Sequence, residues 1–165
     1  MSKALAIHEA YKRGDLDTLK VLLGDPPDFP NCRGPAEIVL EYAIYHSPFV
    51  FIRTLLELGA EPNYGDHAGF PSLMAALSAD RLDRYEIIDL LLKSGADIQQ
   101  RGLNDWTPLH YAAATDDVKA IELLLAHGAD ATARTRIDDR ATPIEEAEIL
   151  GRSEAVRALR ELASR

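Results

Sequence analysis

The chain has 165 residues, of which 47% are hydrophobic and 27% charged, an ordinary composition for a folded globular protein that argues against disorder. Its formal net charge of −9 argues against general nucleic-acid binding, which depends on clustered Lys and Arg. The single cysteine, Cys32, rules out an internal disulfide and a multi-cysteine zinc site, and no stretch approaches the roughly 18 uncharged apolar residues of a membrane span.

A short hydrophobic sequence motif recurs along the chain, and we call its central apolar residue the anchor. The five anchors are Ile7, Leu40, Leu73, Leu109 and Ile144. Successive anchors lie about 33 to 36 residues apart, and a period of this length is typical of stacked supersecondary units that cannot bury their apolar faces alone. The sequence therefore predicts one continuous solenoid and not two domains with separate cores.

The first unit predicts two short helices followed by an irregular segment. Apolar residues follow Ile7 at helical spacing, and Leu19 and Leu22 mark a second helix after the turn at Gly14. The next segment, 25–33, contains three prolines, which remove three backbone donors. We expect this segment to be extended or irregular and not a regular hairpin.

The third unit repeats the pattern with a longer turn. The count from its anchor, Leu73, to its closing glycine, Gly95, is about three residues longer than in units two and four, so we expect the extra residues between its helices, near Asp80. Asp83 and Glu86 have the spacing of a capping box, which predicts the start of the second helix of this unit.

The fourth unit carries the clearest copy of the pattern. Thr107 suits a helix N-cap, and Pro108 stands at the first helical position, where a missing N–H costs nothing. The second helix of the unit is predicted to end near His127 and to stop at Gly128, a residue common just past helix ends. Before the fifth anchor the connecting segment is about two residues longer, which predicts a longer last loop over 134–140.

Several pieces of this pattern recur in phase, and they resemble the ankyrin repeat over nearly the whole chain. The clearest are Thr107-Pro108-Leu109-His110, Leu123-Leu124-Leu125 and Gly128-Ala129-Asp130. The resemblance implies an all-α ankyrin-repeat solenoid of about five helix–turn–helix units with short β-hairpin-like fingers. We expect a single ankyrin-repeat domain over 1–165, with an N-terminal cap at 2–33, inner units at 34–66, 67–102 and 103–135, and a C-terminal cap at 136–165.

The sequence contains none of the common motifs that predict catalysis. The G-x-S-x-G, P-loop, H-E-x-x-H, dinucleotide-binding and EF-hand patterns are all missing. His8 and His110 each follow an anchor by one residue, and the resemblance implies that histidines at this position form structural hydrogen bonds. We therefore expect no enzyme activity, no cofactor and no metal site. The resemblance implies instead an interaction scaffold that binds through a concave side lined by fingers and first helices.

Two large aromatic residues, Phe70 and Trp106, occupy the same repeat position before the anchors Leu73 and Leu109. The resemblance implies that this position points along the concave groove, where two rings one repeat apart would form a short ladder and anchor a partner. Packing of Trp106 against its neighbouring finger is the alternative. The predicted partner-binding strip consists of Tyr45, His46, His67, Phe70, Arg101, Leu103, Asn104, Trp106, Arg136, Asp138 and Asp139.

The functional prediction is a cytoplasmic monomer that binds another protein through this strip, with no nucleic-acid or membrane partner. The net charge either speeds encounter with a basic partner or serves solubility alone. An immunity or inhibitor protein that neutralises a basic toxin or enzyme is the alternative among binding proteins. An enzyme with an unrecognised site and a structural, oligomerising protein are the alternatives from other classes.

Overall fold

The computed structural model describes residues 2–34, 37–65, 70–137 and 139–162. Over these residues the chain forms ten α-helices and one 3₁₀ turn at Leu103–Asp105. The helices are α1 (Lys3–Arg13), α2 (Leu16–Leu23), α3 (Val39–His46), α4 (Phe49–Glu57), α5 (Ser72–Ser78), α6 (Arg84–Lys93), α7 (Pro108–Ala114), α8 (Val118–Ala126), α9 (Pro143–Ile149) and α10 (Ser153–Leu162). One helix pair lies within each of the five residue ranges predicted for the units.

The helices stack in two rows. The first helices of successive units contact one another in the order α1, α3, α5, α7 and α9, and the second helices α4, α6, α8 and α10 are arranged in the same way. Alanines on the first helices, including Ala43, Ala76, Ala112 and Ala147, are fully buried. Such small side chains let neighbouring helices approach closely. The buried residues form one apolar cluster along the stack, so the predicted all-α solenoid is confirmed.

Capping residues explain where the helices of the fourth unit begin and end. Thr107 and His110 form a capping box at the start of α7, with Pro108 at the first helical position. At the far end of the unit, His127 caps α8 and Gly128 follows in the left-handed region with φ 87°. Both boundaries agree with the sequence prediction.

The start of α6 differs from the capping box predicted at Asp83 and Glu86. Asp83 makes no side-chain cap, because its carboxylate accepts two hydrogen bonds from Arg81, at 2.5 and 2.7 Å. The same guanidinium donates to the carbonyl oxygens of Ile44 and Ser47, at 2.7 and 2.9 Å, and so satisfies the end of α3. The capping-box prediction was wrong because an arginine in the preceding loop competes for the aspartate.

The extra length of the third unit is divided between a loop and a helix. The connection between α5 and α6 covers 79–83, whereas 115–117 connect α7 and α8. The helix that follows is also longer, with 10 residues in α6 against 9 in α8. Leu82, in the lengthened loop, is fully exposed.

The fingers are loops and not β-ladders over the described residues. The finger before α7 is closed by the Gly102 N–H, which donates to the Trp106 carbonyl at 3.0 Å. The longer finger before α9 is closed in the same way by Thr135 and Ala141, at 3.0 Å. A single backbone hydrogen bond at the base thus closes each of these two hairpin-like fingers.

The first finger, 25–33, is irregular, as its prolines predict, with turns that lead to an isolated antiparallel bridge between Arg33 and Ile38. It is tied to the next unit by Asn31, whose amide donates to the Gly59 carbonyl at 3.0 Å and whose side-chain oxygen accepts from the Glu61 N–H at 2.7 Å. Asn63 makes the equivalent pair of bonds one unit later, to the Gly95 carbonyl and the Asp97 N–H. These asparagines join successive fingers without a β-ladder.

Candidate protein-binding surface

The predicted strip falls on the first helices and the fingers, and we call this surface the finger face. It comprises α1, α3, α5, α7 and α9 with the fingers that precede them. The structure locates each predicted residue except His67 and Asp138, which lie outside the described residues. The located residues form an aromatic cluster at α1 and α3, a polar contact between α3 and α5, and a group around the last two fingers.

The aromatic cluster lies where α1 contacts α3. The His8 Nδ1 atom is 2.9 Å from the Tyr42 hydroxyl, and the rings of Tyr42 and His46 are 4.4 Å apart between centroids. His8 and His46 also meet edge to face, at 5.2 Å. Burial lowers the pKa of His46, and the neighbouring His8 lowers it further. At neutral pH His46 is therefore uncharged, and this end of the finger face is aromatic.

Tyr45 connects the second unit to the third. Its hydroxyl is 2.7 Å from the Ser78 Oγ atom on α5, and the two residues occupy equivalent repeat positions. Burial raises the pKa of Tyr45, a shift that the Ser78 hydrogen bond opposes and that Glu41 reinforces. The hydroxyl therefore remains protonated at neutral pH. Tyr45 serves the packing between units as well as the surface.

Phe70 and Trp106 do not form the short ladder expected from the sequence. Each contacts Tyr111 on α7, with ring centroids 6.3 Å apart for Phe70 and 6.4 Å for Trp106, both edge to face. Tyr111 thus joins the two rings. The sequence placed both aromatics correctly in the repeat and missed the tyrosine between them, which belongs to the first helix and not to a finger.

Arg101 and Arg136 are held together by Asp105. Arg101 donates to the Asp105 carboxylate at 2.9 Å, and Arg136 donates to it through its backbone N–H at 2.6 Å and through its guanidinium. The hydrogen bonds from Arg136 lower the pKa of Asp105, and the charge of Arg101 adds to this effect. Both arginines therefore fix the last two fingers to each other, and the Arg136 guanidinium still reaches solvent.

A cleft of ≈ 310 Å³ opens beside this network. It is lined by Asn104 and Trp106 from one finger, Thr135 and Asp139 from the next, and Glu146 from α9. Three of the predicted residues, Asn104, Trp106 and Asp139, are thus brought together across a repeat boundary. The cleft is mostly polar apart from the indole, so its lining suits a polar or charged group.

The comparison with known families agrees with the repeated helix pairs. The family model described as "Ankyrin repeats (many copies)" matches residues 79–125. The chain is an ankyrin-repeat protein. Ankyrin repeats indicate a protein–protein interaction module, and the family is generally non-enzymatic.

Curated proteins similar to this ankyrin-repeat protein are longer. It is 28% identical over 132 residues to alpha-latrocrustotoxin-Lt1a of Latrodectus tredecimguttatus, which covers 79% of the chain and 9% of that protein. It is 31% identical over 111 residues to the RelA-associated inhibitor of Mus musculus, an alignment that covers 67% of the chain and 13% of that protein. For ankyrin repeat and SOCS box protein 11 of Pongo abelii the identity is 30% over 125 residues, covering 76% and 37%. The chain thus spans well under two thirds of each of these relatives.

The buried histidine of this ankyrin-repeat protein, His110, has the structural role that the resemblance implied. Its Nε2 atom lies 3.0 Å from the Ala141 carbonyl oxygen, which only accepts, so Nε2 carries the hydrogen. Nδ1 accepts from the Thr107 N–H at 3.3 Å and lies 2.8 Å from the Thr107 hydroxyl. His110 therefore ties α7 to the last finger. His8 at the equivalent position instead contacts Tyr42.

Sequence reasoning missed several residues of the finger face. Tyr42 and Tyr111 were not selected, although both stand two residues after their anchors and so share a repeat position. Ile137 was missed as well, and it is 48% exposed on the last finger. Aligning the five units column by column would have revealed the tyrosines.

In the part of the chain that the structure describes, no group of three or more His, Cys, Asp or Glu side chains is arranged to hold a metal ion. None of the described helices is long and apolar enough to span a bilayer.

Proposed function

We propose that this ankyrin-repeat protein binds another protein on the finger face, with Trp106 as the central contact. The proposal is supported chiefly by the position of this residue, which is the only tryptophan in the chain and lines the cleft between the last two fingers. Leu103 and Ile137, on the same two fingers, are large apolar residues with nearly half of their surface exposed. A tryptophan together with exposed apolar residues on the same fingers has the composition of an interface hot spot.

The surface around Trp106 is held in shape before a partner binds. Asp105 accepts hydrogen bonds from Arg101 and Arg136, so the two fingers are joined across the repeat boundary. Arg101 also donates to the Arg134 carbonyl at 2.9 Å. A prearranged surface loses little conformational entropy on binding, so docking is close to rigid. The predicted arginines thus act by positioning the fingers.

The finer predictions belong to the same proposal. We infer that the protein acts as a cytoplasmic monomer, that its partner docks on the concave side of the stack, and that it is not an enzyme. In support of the last inference, His110 is fully buried and both of its ring nitrogens bond within the stack.

An inhibitory role is the second candidate. It is supported by the net charge of −9, which favours encounter with a basic enzyme or toxin. One of the similar proteins, the RelA-associated inhibitor, is named as an inhibitor. In this case the partner's activity falls when the complex forms, whereas a scaffold leaves that activity unchanged.

The proposal is tested by comparing variants as baits in extracts of the native host. The full chain, Trp106→Ala, Leu103→Ser and a control, Leu82→Ser, are immobilised, and bound proteins are quantified by mass spectrometry. Calorimetry then gives the dissociation constant of the most enriched partner. Trp106→Ala should weaken binding by more than about tenfold, since a desolvated aromatic contact contributes about 2 kcal/mol.

The control distinguishes binding at a specific surface from nonspecific hydrophobic binding. Leu82 is fully exposed in the loop between α5 and α6, on no finger. Leu103→Ser should weaken binding, and Leu82→Ser should leave it unchanged, with the same far-UV dichroism for all four proteins. Equal affinity for wild type, Trp106→Ala and Leu103→Ser would show that the partner binds elsewhere. If Trp106→Ala alone loses its far-UV dichroism, that variant is unfolded, and the affinity of Leu103→Ser then decides whether the partner binds on the finger face.

A further inference from the structure

Several half-buried aromatic rings of the chain lie beneath one of its own cationic side chains. Lys20 lies over the Phe29 ring at 5.2 Å, Arg53 over Phe49 at 4.9 Å, and both Arg84 and Lys119 lie over Tyr85. Within the described residues no cation lies over Trp106, although tryptophan is the side chain that attracts cations most strongly. Its indole N–H also has no hydrogen-bond acceptor there. The ring is therefore open to a cation from outside the chain.

The rest of the cleft supplies negative charge. Asp139 and Glu146 line it together with the indole, and Asn104 and Thr135 add polar groups. Asp139 makes no ion pair or hydrogen bond with any other described residue. Carboxylates beside an aromatic wall favour a cation that can interact with both at once.

The neighbouring cations do not fill this role. Arg101 and Arg136 are paired with Asp105, and Arg134 is paired with Glu145 at 2.8 Å. Arg140 follows Asp139 along the chain and is not among the residues that line the cleft. Arg101, Arg134 and Arg136 are thus paired with carboxylates other than that of Asp139.

We propose that this cleft binds an arginine side chain of the partner protein. A guanidinium is planar, so it stacks on the indole while its edge donates hydrogen bonds to the carboxylates; an ammonium group has no flat face to stack. The cleft volume of ≈ 310 Å³ is at the lower end of the range of about 300 to 1,000 Å³ for small-molecule pockets. It therefore suits one long side chain. This inference rests on the proposed function, since it specifies what the partner presents to Trp106.

The inference can be tested without the partner, because fluorescence of the only tryptophan reports on this cleft. The full chain is titrated with N-acetyl-arginine amide at low ionic strength. The uncharged N-acetyl-citrulline amide and N-acetyl-lysine amide are the comparison probes. The arginine probe should give a saturable change that weakens with added salt. The lysine probe should bind at least about threefold more weakly, and the citrulline probe should give no saturable change.

A matched pair of variants separates a local pocket from general acidity. Asp139→Asn and Glu122→Gln each remove one negative charge, and Glu122 is exposed on α8, outside the finger face. Asp139→Asn should weaken the arginine probe by about fivefold, and Glu122→Gln should leave its affinity unchanged. Equal losses in the two variants would overturn the pocket, as would a citrulline or lysine response equal to that of arginine, or no response at all.

The two proposals fail in different ways. If the arginine probe gives no response while Trp106→Ala still weakens the captured partner, the pocket is overturned and the binding surface stands. If the probe binds as expected while the partner has the same affinity for Trp106→Ala as for the wild type, the pocket accepts arginine but the partner does not dock there. The proposal that the pocket binds an arginine of the partner is then overturned.

Discussion

His110 joins two parts of the stack through its ring nitrogens, which are buried with the rest of the side chain. Burial lowers its pKa, although the hydrogen bond to the Ala141 carbonyl opposes the shift. Burial lowers the pKa of His46 as well. The folded protein therefore binds fewer protons than the unfolded chain below the ordinary histidine pKa of about 6.5. The stability contributed by these neutral histidines is complete above that pH and is lost as the pH falls through it.

The variant His110→Gln tests this role. At pH 8 it should lower the free energy of unfolding by about 1 to 3 kcal/mol, because the buried partners Thr107 and Ala141 are left partly unsatisfied. Its stability should also fall less steeply than that of the wild type between pH 7.5 and about pH 5.5, since a proton-binding group has been removed. Urea unfolding at a series of pH values measures both effects. A slope equal to that of the wild type would mean that His110 does not titrate on unfolding.

The role of a single residue could be predicted where residues close to it in the sequence decide that role. Thr107, Pro108 and Gly128 act through hydrogen bonds and dihedral angles within a few residues, so their positions follow from local rules. Asp83 has the same local pattern, and its prediction was wrong because Arg81, in the loop before it, takes the carboxylate. The spacing of residues in the sequence does not indicate whether the Asp83 carboxylate accepts from the backbone at the start of α6 or from Arg81.

At the scale of elements, arginines between units fix the ends of the first helices. Arg81 donates to the Ile44 and Ser47 carbonyls at the end of α3, and Arg152 donates to the Ala114 carbonyl at the end of α7, at 2.8 Å. The two arginines occupy the same repeat position. The last carbonyls of a helix have no partner within it, so these side chains satisfy groups that would otherwise need water.

Removing such an arginine should loosen the contact between two units. Arg81→Met retains much of the side-chain volume and loses the hydrogen bonds to Ile44, Ser47 and Asp83. Its stability to urea should fall by about 1 to 3 kcal/mol, because the guanidinium is largely buried. Arg53→Met is the control, since Arg53 is exposed and rests on Phe49 alone. Equal stability of the two variants would show that the capping bonds contribute nothing.

The helices of each unit follow from the sequence, whereas the fingers do not. Hydrophobic spacing and caps locate helix pairs because both signals lie within one segment. The resemblance implied hairpin-like fingers, and the described fingers are loops closed by one or two backbone hydrogen bonds at the base and joined by Asn31, Asn63 and Asp105. Those bonds run between units about 30 residues apart, and the pattern within one finger does not indicate them.

At the scale of the whole molecule, the binding surface depends on how neighbouring units meet. The sequence identified Phe70, Trp106 and Asp139 separately, and the stack places Tyr111 between the first two and Asp139 in the same cleft as Trp106. Phe70 meets Tyr111 across one repeat boundary, and Trp106 shares its cleft with Asp139 across the next. Repeat position could predict which residues reach the finger face, but only the register between units decides which of them touch.

Amide hydrogen exchange of the wild-type protein, free and saturated with its captured partner, tests the central claim most directly. Binding on the finger face should slow exchange in the fingers at 101–106 and 134–137, because a docked partner shields their backbone from water. Exchange in the solvent-facing second helices α6 and α8 should change little. Protection confined to α6 and α8, with unchanged exchange in both fingers, would contradict the account.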